Sequence, residues 1–326
     1  MLPHYNARVS QPANRTHPGP DPGPAAPRAA CPGPAHPGQA YPVHGERPTP
    51  PPDLPAQVAA ALAEDLGARD VTAELVPEGQ QVHGQVITRE AAVLCGVPWV
   101  QETFRRLDPR VRLDWQAADG DRIEPGERLL SLSGPARPIL TGERTALNFL
   151  QLLSATATAA RRYVDAVAGT GCTILDTRKT LPGLRTAQKY AVRCGGARNH
   201  RLGLYDMVLI KENHIAAAGS ITAAISQARS AAPGMPVECE VESLAQLEQA
   251  LAAGPDIILL DNFAPRELAA AVARNRAAGS PVKLEASGGV SLEGVRALAE
   301  TGVDFISVGG LTKHVQAVDL SMRLEF

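Results

Sequence analysis

Positive charge is concentrated between Asp176 and Arg201, a span that holds seven Lys or Arg residues and one acid. The chain as a whole is balanced, with 32 Lys+Arg against 34 Asp+Glu and a formal net charge of −2. Arginine offers a two-pronged donor to a carboxylate or phosphate, and lysine offers a point charge. We therefore predict a pocket for a polyanion. Its predicted cations are Arg178, Lys179, His200, Arg201 and Lys211, whereas the other cations of the region are interpreted as a solvated face: Arg185, Lys189, Arg193 and Arg198.

Two acids supply the opposite charge. Glu240 and Asp261 stand near the ends of two consecutive strand-like runs, "VECEVE" and "IILLDN". Carboxylates brought together in this way can hold Mg²⁺ with water and substrate oxygens, or accept hydrogen bonds from ribose hydroxyls. An alternative is that the two acids only pair with the cations of the pocket.

Two glycine pairs follow the last two strand-like runs, in "ASGGV" and "SVGGL". Paired glycines let backbone N–H groups approach a phosphate closely, and the late strands of βα barrels often bind phosphate. One glycine pair can be a plain turn. Two pairs after successive strands favour a phosphate site.

The elements that must position these residues become regular after Gly171. Six apolar runs are separated, for the most part, by Ala-rich amphipathic helices at spacings of roughly 20–35 residues, which is typical of βα units. The runs are "CTILDT", "MVLIKE", "VECEVE", "IILLDN", "VKLEAS" and "FISVGG". Polar or glycine residues end each run, and the carboxyl ends of barrel strands meet at one mouth, where active sites form. Because a full barrel has eight strands, six runs predict an incomplete or open βα barrel.

The preceding part of the chain divides into two. Residues 54–153 predict a small α+β domain, because a helix is followed by short β-rich runs and by "TGERTALNFLQLLSATATAARRYVDAVAG", one long helix or two abutting ones with Thr141 as an N-cap. Residues 154–326 are the predicted barrel, and its extreme C-terminus is expected to pack back on the first domain. Residues 1–53 are rich in Pro and Gly without hydrophobic periodicity, and they predict a disordered tail whose scattered histidines form no metal site.

Composition excludes several classes of protein. Near-neutral charge argues against general nucleic-acid binding, and no apolar run reaches the roughly 18 residues that a membrane span needs. The N-terminus lacks the apolar core of a signal peptide. Five Cys residues without a CxxC pair or metal-ligand spacing are interpreted as reduced thiols in a cytoplasmic protein.

From about Leu54 onward the chain resembles the quinolinate phosphoribosyltransferases, also called carboxylating nicotinate-nucleotide pyrophosphorylases. The resemblance is carried by "EDLGARDVT", "TGERTALNFLQ", "LDTRKTLPGLRTAQKYAVRCGGARNHRLGLYDMVLIKENHI", "VECEVES", "LLDNF", "LEASGGV" and "ISVGGLT". It implies an N-terminal sandwich-like domain and an open α/β barrel, paired in a head-to-tail homodimer. It also implies that quinolinate and phosphoribosyl pyrophosphate are converted with Mg²⁺ into nicotinate mononucleotide, pyrophosphate and CO₂, in de novo NAD biosynthesis.

The resemblance further implies roles for individual residues. The quinolinate pocket would contain Arg178, Lys179, His200 and Arg201, together with Arg144 of a neighbouring subunit, and Thr177 would be a further substrate-binding residue. Lys211 would lie between the two substrates, Glu240 and Asp261 would serve the ribose and the metal, and these three are the expected catalytic residues. The 5′-phosphate would be held by Ser287, Gly288, Gly289, Val308, Gly309 and Gly310.

Three other functions stay open at the level of sequence. One is a related phosphoribosyltransferase that uses a monocarboxylate such as nicotinate, or another aromatic acid. A second is a Schiff-base lyase on a βα barrel, which would need Lys211 or Lys283 in an apolar pocket. A third is an anion-binding protein without catalytic activity.

Overall fold

The computed structural model describes residues 48–279 and 282–326. The predicted tail therefore lies outside the described part over residues 1–47. Residues 48–53 are described, and they lead into the first helix. Their last residue, Asp53, accepts hydrogen bonds from Gln57 (3.0 Å) and from the Thr186 hydroxyl (2.8 Å).

The helices and strands are numbered here in chain order. Up to the long central helix they are α1 (Leu54–Leu66), a 3₁₀ turn (Ala73–Leu75), β1 (Gln81–Thr88), β2 (Ala92–Val93), α2 (Val97–Leu107), β3 (Arg112–Trp115), β4 (Arg122–Ile123), β5 (Arg128–Pro135) and α3 (Ala136–Ala166). From there they are β6 (Thr173–Leu175), α4 (Arg185–Cys194), β7 (Val208–Ile210), α5 (Glu212–Ala218), α6 (Ile221–Ala231), β8 (Val237–Val241), α7 (Leu244–Ala253), β9 (Ile257–Asp261), α8 (Pro265–Ala277), β10 (Lys283–Ser287), α9 (Val295–Ala299), β11 (Phe305–Ser307), α10 (Gly310–Lys313) and β12 (Leu320–Glu325).

An antiparallel sheet forms the first layer, with strand order β12-β1-β5-β3. Apolar side chains of β1 and β5, such as Val82, Val86 and Leu130, are buried in one core with Ile139 and Leu150 of α3. The outer strand β12 pairs with β1 from Thr88↔Leu320 to His83↔Glu325. The end of the described chain thus completes a sheet that begins near residue 81.

Helix α3 connects this layer to the barrel and spans about 46 Å at 1.5 Å per residue. It is one continuous helix, and the prediction of Thr141 as its N-cap is wrong. The helix begins at Ala136, directly after β5, where the Ala136 backbone N–H donates to the Gln80 carbonyl (2.7 Å). Thr141 lies in the second turn, and its hydroxyl donates to Asp70 (2.8 Å). The helix therefore starts where the strand ends, and no capping side chain sets its first residue.

A parallel sheet of six strands follows, in the order β6-β11-β10-β9-β8-β7. The six predicted runs are all strands of this sheet, and the prediction of an open βα barrel is confirmed. Within the described residues β6 and β7 do not pair with each other, so the barrel has a gap between its first two strands. Buried side chains on the strands and helices, among them Ile174, Ile258 and Leu284, form the barrel core.

Two further observations concern the whole described part. None of its helices combines the length and the apolar character that crossing a bilayer would require. Its cysteines are free thiols: Cys95, Cys172, Cys194 and Cys239.

Candidate active site at the barrel mouth

The order of the strands fixes the order of the polar residues around the mouth. Moving along the sheet from β6, the strand ends carry Thr177, then Gly309, Ser287, Asp261, Glu240 and finally Lys211. The two glycine loops are therefore neighbours, and the two acids stand between them and Lys211. The cationic segment 177–201 connects β6 to β7 and occupies the gap of the barrel.

The glycine loop after β10 is packed against Asn262. Gly288 has φ +94°, and a Cβ on it would lie 2.1 Å from Asn262 Oδ1, so no larger residue fits without a shift. Asn262 itself has φ +57°. Its backbone N–H donates to the Ser287 carbonyl (2.9 Å), and its amide donates to Asp261 Oδ2 (2.7 Å). The loop thus orients one of the two acids, while Gly289 faces open space.

The second glycine loop contacts Lys179. A Cβ on Gly309 would lie 2.9 Å from Lys179 Cδ and 3.6 Å from Thr177 Oγ1. The Lys179 carbonyl accepts a hydrogen bond from the hydroxyl of the buried Thr312 (2.8 Å). Val308 is buried, and its N–H donates to the Leu175 carbonyl (2.9 Å), which joins this loop to β6. The Lys179 side chain therefore lies beside the glycine loops.

The acids and Lys211 form one electrostatic unit. Lys211 Nζ donates a short hydrogen bond to Glu240 Oε2; the lysine side chain is 44% exposed and that of Glu240 is 9% exposed. Burial raises the pKa of Glu240, Lys211 opposes that rise, and the neighbouring charges of Asp261 and Glu212 raise it further. The two acids are thus close enough to repel each other, and a bound cation would relieve that repulsion.

Arg178 and Arg201 form the cationic side of the mouth. Burial lowers the pKa of Arg201, and the nearby positive charge of Arg178 lowers it further. The Arg201 guanidinium donates to the Met207 carbonyl (3.3 Å). Arg178 Nε is buried and has no hydrogen-bond partner among residues 48–279 and 282–326. Two like charges held together with a donor left unused indicate a site for an anion.

His200 has both ring nitrogens engaged by the protein. Its Nδ1 accepts the Arg201 backbone N–H (2.8 Å), and its Nε2 lies 2.9 Å from Glu238 Oε2 and 3.6 Å from Glu285 Oε2. Burial lowers the pKa of His200, but the two carboxylates outweigh it and raise the pKa to about 9. The bond at Nδ1 acts against a second proton, because Nδ1 accepts only while it is unprotonated. The proton at Nε2 therefore faces the carboxylates rather than the open mouth.

Glu238 and Glu285 are fully buried and were not among the predicted site residues. Burial and the charge of Glu238 raise the pKa of Glu285 to about 8, against the opposing effects of His200 and Ser307. A signal for Glu238 was present, because Glu238 and Glu240 alternate in "VECEVE" and alternate residues of a strand share one face.

The interpretation of four cations as a solvated face is wrong for Lys189. Its side chain is 2% exposed, and its Nζ donates to Asp176 Oδ1 at 2.5 Å. Arg185 is half-buried and donates to the Thr180 hydroxyl (3.1 Å), Arg198 is half-buried, and Arg193 is exposed. Residues 187–192 of α4 are all buried, so the helix has no solvated side at Lys189, whereas Arg193 lies one turn further along the same face and is exposed.

Lys283, Lys211 and Arg144 lie in three different environments. Lys283 begins β10 and donates to Asp304 (2.6 Å), so it lies at the end of the barrel opposite the mouth. Lys211 contacts a carboxylate rather than an apolar pocket, which is not the environment of a Schiff-base lysine. Arg144 is exposed on α3, and its side chain makes no hydrogen bond or ion pair with any other described residue. The structure therefore gathers the predicted residues of segments 177–211, 240–261 and 287–310, and the Arg144 side chain makes no hydrogen bond or ion pair with them.

The chain matches two family domain models. Residues 70–154 match the quinolinate phosphoribosyl transferase N-terminal domain, and residues 156–323 match the C-terminal domain. It is 46% identical over 273 residues to the carboxylating nicotinate-nucleotide pyrophosphorylase of Mycobacterium leprae, covering 82% of this chain and 95% of that one. It is 38% identical to the human enzyme of the same name, covering 84% and 93%. It is also similar to the solved structure of the nicotinate-nucleotide pyrophosphorylase from Francisella tularensis, with TM-score 0.82, 44% identity and coverage of 86% and 98%.

Proposed function

The chain belongs to the quinolinate phosphoribosyl transferase family, and from that premise we propose how its barrel mouth acts as a carboxylating nicotinate-nucleotide pyrophosphorylase of NAD biosynthesis. The reaction joins quinolinate to phosphoribosyl pyrophosphate and yields nicotinate mononucleotide, pyrophosphate and CO₂. One observation carries the assignment of roles. The two acids stand between adjacent glycine loops on one side and a cationic segment on the other.

The cationic side binds quinolinate. A pyridine dicarboxylate needs two sites of positive charge, and Arg178 and Arg201 supply them, with the unused Arg178 Nε available for a carboxylate oxygen. His200 shapes the pocket rather than donating a proton to the substrate, because its ring nitrogens are held by Arg201 N–H and by the buried acids. Thr177 lies beside Lys179 at the border with the phosphate side.

The glycine side binds the 5′-phosphate. Glycine loops allow backbone N–H groups to approach phosphate oxygens, and the Lys179 side chain beside Gly309 adds positive charge. The proposed phosphate contacts are Ser287, Gly288, Gly289, Val308, Gly309 and Gly310. With this placement the ribose lies across Asp261 and Glu240, and its C1 faces the quinolinate pocket.

The chemistry then follows from the groups around C1. The pyridine nitrogen attacks C1 as pyrophosphate leaves, and a carboxylate of Glu240 or Asp261 stabilises the positive charge that develops at the sugar. Lys211 donates to the departing oxygens and is held in place by Glu240. When CO₂ departs, the bonding electron pair stays on C2, where the adjacent positively charged ring nitrogen stabilises it. C2 takes its proton from water or from Lys211.

The acid pair also fits Mg²⁺. Each of the two carboxylates has one oxygen engaged, by Lys211 or by Asn262, and one that remains available as a hard oxygen ligand. Mg²⁺ is typically bound by one or two carboxylates together with water and substrate phosphates. When bound, it would neutralise the charge of the pyrophosphate group. Mutual repulsion of Glu240 and Asp261 supports this assignment.

The site is completed by a second copy of the chain in a head-to-tail homodimer, with Arg144 contributed across the interface. Exposed apolar residues support such an interface, because large apolar side chains in contact with water commonly mark binding surfaces. Leu204 and Tyr205 are more than 70% exposed in the loop that follows Arg201, and Leu75 is 82% exposed beside the Asp70–Thr141 contact of α3. The free cysteines of the described residues support a cytoplasmic location.

The test is a reconstitution of the reaction. Quinolinate labelled at its 2-carboxyl group is incubated with phosphoribosyl pyrophosphate and MgCl₂, and labelled CO₂ and nicotinate mononucleotide are quantified together. Equal amounts of the two products are expected, and nicotinate in place of quinolinate should give almost no mononucleotide. Comparable turnover of nicotinate, or mononucleotide without CO₂, would contradict the proposed function.

A further inference from the structure

The segment 198–201 occupies the gap of the open barrel. Arg198 forms a parallel bridge with Leu175 of β6, through its N–H to the Ile174 carbonyl (2.9 Å) and its carbonyl to the Asp176 N–H (3.1 Å). In a closed barrel a full strand would pair with β6 at this edge. The bridge ends before His200 and Arg201, so their backbone must be held by other groups.

Asp176 is the centre of the contacts that hold them. Its Oδ1 accepts the His200 backbone N–H (2.8 Å) and Lys189 Nζ (2.5 Å), and its Oδ2 accepts the Asn199 amide (2.7 Å). Lys189 Nζ also donates to the His200 carbonyl (2.9 Å), and the Asn199 amide donates to the Lys189 carbonyl (2.9 Å). Both backbone groups of His200 and the side chain of Asn199 are thereby tied to β6 and α4.

The ion pair at the centre of this network is desolvated. Asp176 is 0% exposed and Lys189 is 1% exposed. Burial raises the pKa of Asp176 and lowers that of Lys189, and in each case the partner's charge opposes the effect of burial. A buried ion pair is a weak source of stability, because desolvation of both ions offsets much of their attraction. Its presence under two residues of the mouth therefore points to a role in placing them.

We propose that Asp176, Lys189 and Asn199 are positioning residues, which fix His200 and Arg201 at the barrel mouth and thereby set the affinity for the dicarboxylate substrate. The proposal rests on the proposed function of this mouth. The side chains of all three are hydrogen-bonded to one another and to backbone groups of Lys189 and His200. They are therefore not available to bind a substrate in the mouth. They act through the segment that they hold.

The kinetic test uses Lys189→Met, which keeps the length of the side chain and removes its charge and donors. A displacement of about 1 Å in a positioned group can cost roughly 100-fold in rate, so kcat/KM for quinolinate should fall by about that factor. The KM for phosphoribosyl pyrophosphate should stay within about twofold of wild type, because the glycine loops are held by other contacts. If the KM for phosphoribosyl pyrophosphate rose by as large a factor as the KM for quinolinate, the proposal would be overturned.

The matched control is Tyr190→Phe. Tyr190 is the next residue of α4, is also buried, and donates to a carboxylate, Asp119 (2.7 Å), on another side of the helix. The variant Tyr190→Phe loses this buried hydrogen bond, which does not involve segment 198–201. Its kcat/KM for quinolinate should therefore equal that of wild type. If Tyr190→Phe and Lys189→Met lost quinolinate efficiency alike, the effect would be one of general stability and the positioning role would be refuted.

Amide hydrogen exchange supplies a readout that needs no turnover. In Lys189→Met the peptide that covers residues 198–201 should exchange faster than in wild type, and in Tyr190→Phe it should not. If Lys189→Met fails to fold, Asn199→Ala tests the same point, since it removes two hydrogen bonds without leaving a buried charge. A wild type without turnover would refute the proposed function alone, whereas unchanged exchange at residues 198–201 would refute the positioning role alone.

Discussion

Arg178 is expected to lower the stability of the free protein and to raise its activity. The substitution Arg178→Met should therefore change the two properties in opposite directions. The methionine keeps an aliphatic stem of similar length and removes the guanidinium. In wild type the buried Nε has no partner within the described residues, and the positive charge of Arg201 lies nearby. An unsatisfied buried donor costs about 1–3 kcal/mol. We therefore expect Arg178→Met to raise the free energy of unfolding by about 1–2 kcal/mol, because it removes both the unpaired donor and the like-charge repulsion.

The same substitution should lower kcat/KM for quinolinate. A charge-assisted hydrogen bond to a carboxylate contributes about 1.5–3 kcal/mol, which corresponds to roughly 10–150-fold in kcat/KM for quinolinate. Arg178→Lys should fall between wild type and Arg178→Met, since lysine keeps the charge and loses the two-pronged geometry. Quinolinate should raise the melting temperature of wild type more than that of Arg178→Met, because at a given concentration a ligand with the lower Kd stabilises the native state more.

The assays are urea unfolding followed by circular dichroism and steady-state kinetics with quinolinate as the varied substrate. Arg193→Met is the control, because Arg193 is exposed on α4 and its replacement should change stability by less than about 0.5 kcal/mol. Opposite signs of the two effects are the essential result. A decrease of both stability and activity in Arg178→Met would show that Arg178 is a structural residue and would refute the reasoning.

Four further predictions concern the substrate, the metal, the N-terminal residues and the dimer. Nicotinate should be a poorer substrate than quinolinate by roughly 10⁴ in kcat/KM, because one carboxylate leaves designed cations unpaired; similar values would contradict this. Removal of Mg²⁺ with EDTA should abolish turnover, and Asp261→Asn should raise the Mg²⁺ concentration for half-maximal activity by about tenfold; an unchanged value would exclude Asp261 as a ligand. A variant that begins at Pro52 keeps the Asp53 contacts with Gln57 and Thr186, so its kcat and melting temperature should equal those of the full chain; a loss of either would give residues 1–51 a role. Mixing inactive Arg144→Ala with inactive Lys211→Ala should restore about a quarter of wild-type activity, because half of the dimers are mixed and each has one intact site; no recovery after proven subunit exchange would place Arg144 in its own subunit's site.

Sequence patterns were sufficient to predict the architecture of the barrel. A strand that is buried on both faces of a sheet consists of a continuous apolar run, which is easily recognised in a sequence. Each of the six barrel strands is a short apolar run that ends in polar or glycine residues, and the structure places all six in one parallel sheet. The helix prediction around Thr141 failed at its start for a local reason. The strand β5 runs directly into α3, so the first turn of the helix contains Ala136 and Pro138, which have no capping character.

The sequence alone did not predict which charged side chains are buried. A lysine on a helix among other cations is normally solvated, and only the placement of Asp176 beneath α4 makes Lys189 an interior residue. Glu238 lies on β8 and Glu285 on β10, on the two sides of β9, and both approach His200, which belongs to a third segment of the chain. Such meetings depend on the register of the strands, which no local pattern specifies.

The pairing of β12 with β1 has a consequence for synthesis on the ribosome. The antiparallel sheet begins near residue 81, but its outer strand consists of residues 320–325, so the whole barrel must be translated before the sheet gains that strand. Until then β1 presents an unpaired edge, and such an edge can pair with other chains. Leu324 then packs over Gly84, where a Cβ would lie only 2.5 Å from its Cδ2. The sheet whose strands emerge first is therefore completed last, and its open edge is exposed to non-native pairing during that interval.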